Sequence, residues 1–136
     1  MRNVPSVCVT VTTDSVIRFG EKRSVIRFHN LRHLQYKRVQ VDGCAIAEGA
    51  KCDNMLCSSD EHDEYFVELK GSDISHAIEQ LRASIVRLGE YDGNPYVVCT
   101  KVAPQLTTLI QKAKMEFRKR FKSELLVKVS QVDISL

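Results

Sequence analysis

The chain reads as an α/β domain, a mixed β-sheet with helices packed on it. Two observations carry that reading. Short runs rich in valine, isoleucine and aromatic residues, bounded by Gly, Pro, Asn or Asp, recur through the first half, while the stretches 74–88 and 105–121 repeat apolar residues at helical spacing. Strand and helix then alternate in the second half, as they do where helices carry a chain back across a sheet. At 136 residues and 43% hydrophobic, the chain has the apolar content for one domain with a sizeable core.

The elements follow in order. Val7, Val9 and Val11 alternate with Cys8, Thr10 and Thr12, which predicts a strand. Ser15-Val16-Ile17-Arg18-Phe19 recurs as Ser24-Val25-Ile26-Arg27-Phe28 around Gly20-Glu21-Lys22-Arg23, and the repeat reads as the two arms of a hairpin. Residues 1–37 thus form an N-terminal β extension to a core of 38–130. Tyr36 to Val41 is a further strand with Asp42-Gly43 as its turn, and 52–58 and 64–70 are two strands joined by the polar segment Ser58 to Asp63. Asp73 is placed to cap a helix whose apolar face is Ile74, Ala77, Ile78, Leu81, Ile85 and Leu88. After a turn at Asp92-Gly93-Asn94-Pro95, Tyr96 to Thr100 continues the sheet. A helix from about Gln105 to Phe121 buries Leu106, Leu109, Ile110, Ala113, Phe117 and Phe121, and Glu124 to Val129 adds a last strand.

Composition excludes little. Net charge is only +3, from 20 Lys and Arg against 17 Asp and Glu, so overall charge names no partner. No run of apolar residues is long enough for a membrane-spanning helix. The five cysteines make an odd count with no C-x-x-C pair, and Met1-Arg2-Asn3-Val4-Pro5 has no secretory character, which predicts reduced thiols and a cytoplasmic protein. His29 and His33 lie in an extended run, a poor setting for zinc.

Local charge is more informative. Fifteen positions separate Asp53 from Glu68, and Lys70 follows two further on. A hairpin turning near Asp60 and Glu61 sets Asp53 opposite Glu68, and strand alternation puts Glu68 and Lys70 on one face with Val67 and Leu69 on the other. Two carboxylates and an ammonium then converge on one surface. Beside the apolar face of the following helix, Asp73, His76, Gln80, Ser84 and Arg87 form a polar stripe, held near Lys70 by the short Gly71-Ser72 connection. The C-terminal helix presents Lys112, Lys114, Arg118, Lys119 and Lys122 away from its apolar face, and Lys112, Lys119 and Lys122 are candidates for phosphate contacts.

Asp53, then Glu68-Leu69-Lys70, then a helix carrying Gln80 resembles the PD-(D/E)XK nuclease superfamily, the restriction-endonuclease-like fold that includes archaeal Holliday junction resolvases. The run Val67 to Leu81 is similar to small prokaryotic members, and the likeness covers about residues 38–130. The resemblance implies a mixed β-sheet flanked by helices, with Asp53 and Glu68 holding Mg²⁺, or Mn²⁺ in its place, and Lys70 orienting or deprotonating the water. It makes Gln80 an accessory catalytic residue, and His76, on the same polar stripe, is a candidate to position a phosphate or the attacking water. Cys52 stands where the motif's proline would be, and Glu48 or Asp42 is a further acidic candidate without a fixed spacing. The implied substrate is DNA, with RNA as an alternative. Two other classes remain open: a nucleic-acid-binding or protein-interaction module of the same fold without catalysis, and a small subunit of a larger assembly. Cutting two strands calls for two sites, which predicts a homodimer joined through Val7 to Val11 and Val25 to Phe28.

Overall fold

The computed structural model covers residues 1–136, and the described residues leave out Lys22, Gly71, Ser72, Tyr91 and Asp92 together with the side chains of Glu21 and Lys70. The predicted Gly71-Ser72 connection and parts of two predicted turns therefore lie outside the described residues. Nine strands and two helices are described: β1 (Val9–Thr12), β2 (Val16–Glu21), β3 (Ser24–His29), β4 (Tyr36–Gln40), β5 (Asn54–Ser58), β6 (Glu64–Lys70), α1 (Ile74–Leu88), β7 (Gly93–Cys99), α2 (Thr107–Phe121), β8 (Leu126–Val129) and β9 (Gln131–Ser135). The class is mixed α/β, as the alternation of periods predicts.

A six-stranded sheet runs β1-β4-β5-β6-β7-β8, and a three-stranded sheet runs β2-β3-β9. β1, β4, β5 and β6 are antiparallel neighbours, whereas β6, β7 and β8 are parallel because α1 and α2 return the chain between them. Three layers result. Both helices cover one face of the large sheet, with Met55, Cys57, Phe66 and Val97 beneath Ala77, Ile78, Leu81, Ile85 and Phe117. The small sheet covers the other face, where Ile17, Ile26 and Phe28 meet Leu56, Val67, Tyr96 and Val98. Covering both faces forces near-continuous apolar runs on the central strands.

The helices form for the reasons their spacing gives. Ile74, Ala77, Ile78, Leu81, Ile85 and Leu88 are all buried on α1, and Asp73 caps it by accepting the amide of His76. α2 buries Ala113 and Phe117 and ends at Lys122, whose φ of 52° is left-handed. Arg82 of α1 bonds Glu116 of α2 through two guanidinium nitrogens, at 2.8 and 2.7 Å. That fork ties the helices side by side.

Several expectations are corrected. Val7 lies in a 3-10 turn spanning Ser6–Cys8, so the first strand starts only at Val9. Gly93, Asn94 and Pro95 belong to β7 rather than to a turn. β8 starts opposite Tyr96, so beside Pro95 that side of the ladder has no bond to interrupt. Gly93 is required there, since a Cβ would come 2.9 Å from the Phe66 ring. The last strand is followed by another, β9, which pairs in parallel with β3 and completes the small sheet from the C-terminal end. β3 is consequently paired on both sides and offers no free edge for a dimer, while β1 pairs only with β4.

The cysteines depart from the reduced-thiol reading. Cys8 and Cys44 form a disulfide, with their Cα atoms 5.7 Å apart, while Cys52, Cys57 and Cys99 are free and buried. The pairing of Val9 with Val39 brings the chain before β1 alongside the turn after β4, a long-range contact that counting cysteines cannot reveal. Among the described residues, no helix is long and apolar enough to cross a membrane.

Candidate active site

β5 and β6 are antiparallel, and their register runs from Cys57 opposite Glu64 to Asn54 opposite Val67. That register is the one the hairpin argument predicts, and the ladder ends one residue short of Asp53. The Asp53 amide donates to the Val67 carbonyl at 3.2 Å, and the Leu69 amide donates to Asp53 Oδ2 at 2.8 Å. The aspartate carboxylate is thus seated on the amide of the residue between Glu68 and Lys70. A carboxylate that accepts a backbone N–H this way is fixed in orientation, with its other oxygen left for another partner.

Glu68 is where the surface expectation fails. It is 1% exposed, because strand alternation turns it to the same side as Phe66, beneath the helices rather than toward water. Lys70 closes β6 opposite Cys99, and its side chain lies outside the described residues. Gln80 sits on α1 with its Oε1 buried and without a hydrogen-bond partner. His76 is exposed one turn earlier, at the N-terminal end of the helix. The predicted stripe therefore divides. Asp73 caps the helix, Gln80 and Ser84 turn inward, and Arg87 reaches the loop before β5 by donating to the Glu48 carbonyl at 3.1 Å.

Ser84 is fully buried, although its place in the stripe predicts a helix flank. Its Oγ accepts the Cys52 amide at 2.7 Å. A serine between Leu81 and Ile85 on an otherwise apolar face was the available signal. Cys52 itself is no candidate ligand or nucleophile: burial, reinforced by the Glu68 and Asp53 carboxylates and opposed by the Ser84 hydrogen bond, pushes its thiol up to about 12.

Of the further acidic candidates, Asp42 lies at the surface with Lys51 at 4.0 Å, and Glu48 is exposed. His29 pairs with Asp133 at 2.8 Å, and His33 Nδ1 lies 3.1 Å from the Thr13 carbonyl, so neither joins the other in a zinc site. Among the described residues, no three His, Cys, Asp or Glu side chains gather to hold a metal. Asp53 and Glu68 offer oxygen donors alone. Such a two-carboxylate set fits a hard divalent cation that retains several waters and does not fit a soft or thiolate-seeking metal.

Lys112, Lys119 and Lys122 are exposed but not equivalent. Lys112 lines a groove of about 560 Å³ with Ser75, Gln105 and Thr108, between the N-terminal halves of the two helices. Those halves follow directly from the carboxyl ends of β6 and β7, where Lys70 lies. Lys122 borders a separate hollow of about 390 Å³ with Arg2, Gly89 and Glu90, at the other end of α1. Helical rise puts ten residues at about 15 Å, so only Lys112 is at the site's end of the molecule.

No protein-family model, no curated protein and no solved structure matches the chain.

Proposed function

We propose that the protein is a metal-dependent nuclease that hydrolyses phosphodiesters in DNA, of restriction-endonuclease-like fold, with Asp53, Glu68 and Lys70 at its centre. One observation carries the reading: the Asp53 carboxylate is seated on the Leu69 amide, between Glu68 and Lys70. Two carboxylates near one another at the edge of the core form an all-oxygen donor set, the kind a hard divalent cation takes. Bound Mg²⁺ would supply a water of lowered pKa and electrostatic support for the charged phosphorane.

Each residue then has a task. Asp53 offers the oxygen not committed to Leu69, and Glu68 offers a carboxylate held rigid by burial. Lys70 orients or deprotonates the attacking water and steadies charge as it develops on phosphate. Gln80 presents its buried carbonyl oxygen as an acceptor for a metal-bound or attacking water, and exposed His76 meets the flanking phosphate. Lys112, beside the groove, contributes sequence-independent phosphate affinity, and Lys119 and Lys122 extend that attraction along α2.

A panel of duplex, junction, overhang and single-stranded DNA, with RNA alongside, is the experiment. Cleavage of at least one substrate in Mg²⁺ or Mn²⁺, abolished by EDTA, is expected. Cleavage that persists in EDTA, or no cleavage of any substrate, would contradict the assignment. For two-stranded substrates we propose a homodimer joined through the free edge of β1, where Val11 is exposed. Sedimentation with DNA should give a dimer mass, and a monomer alone would remove that part of the reading.

A further inference from the structure

We infer that Ser84 is a positioning residue for Asp53: its buried hydroxyl, clasping the Cys52 amide, holds the aspartate carboxylate in the place a divalent cation needs. The inference rests on the reading of Asp53 and Glu68 as a metal site.

Asp53 lies just before β5, where regular pairing has not yet begun. Its position is fixed instead by individual bonds. Its carbonyl accepts from the amides of Val41 at 3.2 Å and Asp42 at 3.3 Å, its own amide donates to Val67, and its Oδ2 accepts from Leu69. These bonds tie it to β6 and to the turn after β4. The Ser84 bond ties this segment to α1 by way of the neighbouring Cys52, at 2.7 Å, while Arg87 of the same helix holds the loop further upstream at the Glu48 carbonyl.

Ser84 stands one turn after Gln80, so the two share a helix face. Clasping Cys52 with the first therefore sets how the second, with its buried Oε1, lies over the hairpin. A hydroxyl buried among Leu81, Ile85 and Leu88 is unfavourable without a partner, and a buried amide is unfavourable without an acceptor. Each satisfies the other. Removing the hydroxyl leaves the Cys52 amide to find water or to rotate, and rotation at Cys52 swings the residue that follows it.

The test is Mn²⁺ binding to the metal-free protein, followed by electron paramagnetic resonance and normalised to the folded fraction. Ser84→Ala should weaken binding about 10- to 100-fold, the usual consequence of losing a group that orients a metal ligand. Ile85→Val, a core change on the same helix, should leave the affinity of folded molecules unaltered. Equal affinity for wild type and Ser84→Ala would overturn this inference while leaving the metal site standing. No Mn²⁺ binding by the wild type would overturn the metal site and this inference with it. Should Ser84→Ala not fold, the wild-type protein carries the test through reciprocity of coupling: Mg²⁺ must slow hydrogen exchange at the Cys52 amide. Exchange there as fast with Mg²⁺ bound as without it would overturn the inference.

Discussion

Glu64 and Glu68 lie on the same strand and turn to the same side, and each is at most 1% exposed, yet their surroundings are opposite. Glu64 meets the ammonium of Met1 at 2.9 Å and accepts the Glu90 amide at 3.1 Å. Burial is the largest influence on that ammonium and lowers its pKa, but Glu64, aided by Glu90, raises it beyond that pull. Glu68 lies just beyond the last ladder pair, Asn54 with Val67, and its carboxylate and that of Asp53 both act on the Cys52 thiol. One buried acid meets an ammonium; the other shares the neighbourhood of Cys52 with a second carboxylate. An uncompensated buried charge costs several kcal/mol, so Glu64 with its ammonium has the surroundings of a structural acid, while Glu68 is the acid to which the proposed reading gives a cation.

The largest expected effect is on cleavage. Asp53→Asn should abolish it while the fold and much of the DNA binding remain, and Lys70→Ala should lower the rate by about 10²–10³-fold through lost charge stabilisation. Single-turnover rates on the best substrate, measured at saturating protein, separate these losses from binding. Undiminished cutting by both variants would erase the contrast between the two ends of β6.

Next in size is DNA affinity. Neutralising Lys112, Lys119 and Lys122 together should weaken binding alike for all sequences and flatten the slope of log affinity against log salt by about 1 per lost phosphate contact. Lys112 alone should account for more of the loss than Lys122 alone, given its place at the carboxyl ends of the parallel strands. Equal single effects would detach the basic face from the site.

The smallest effect belongs to the helix pair. The Arg82 hydrogen bond, against the counter-pull of burial, holds the Glu116 carboxyl below its ordinary value of 4.5. Its stabilisation is fully present above that value and is lost as pH falls through the lower, folded value. Both side chains are about one-third exposed, so solvent screening limits the pair to about 0.5–1 kcal/mol. Glu116→Gln should remove that increment at neutral pH and leave stability unchanged at low pH, as read by urea denaturation across the range. A loss that is the same at every pH would assign the effect to packing.

Periodicity made the two helices legible, and the duplicated Ser-Val-Ile-Arg-Phe runs made the β2–β3 hairpin legible, since both signals are local. The hairpin register was legible too: the polar segment Ser58 to Asp63 sets the turn, and the turn sets Asn54 against Val67. Burial of Glu68 was not. It depends on which layer covers each face, and the small sheet that covers one of them is closed by β9, more than a hundred positions from β3. The Cys8–Cys44 bridge and the Ser84–Cys52 bond were hidden for the same reason, being contacts between segments that only the assembled sheet brings together. Glu64 gave no sign at all. Its partners are a chain terminus and a backbone amide, neither of which has a sequence signature.

The most direct measurement compares Glu64→Gln with Glu68→Gln in metal-free protein by urea denaturation, then repeats both in Mg²⁺. Glu64→Gln should destabilise the protein alike in either buffer, because it removes one of the two carboxylates that meet the Met1 ammonium and the acceptor of the Glu90 amide. Glu68→Gln should lose the stabilisation that Mg²⁺ gives the wild type. If Mg²⁺ instead stabilises wild type and Glu68→Gln alike, then Glu68 is a structural acid and the site is not a metal centre.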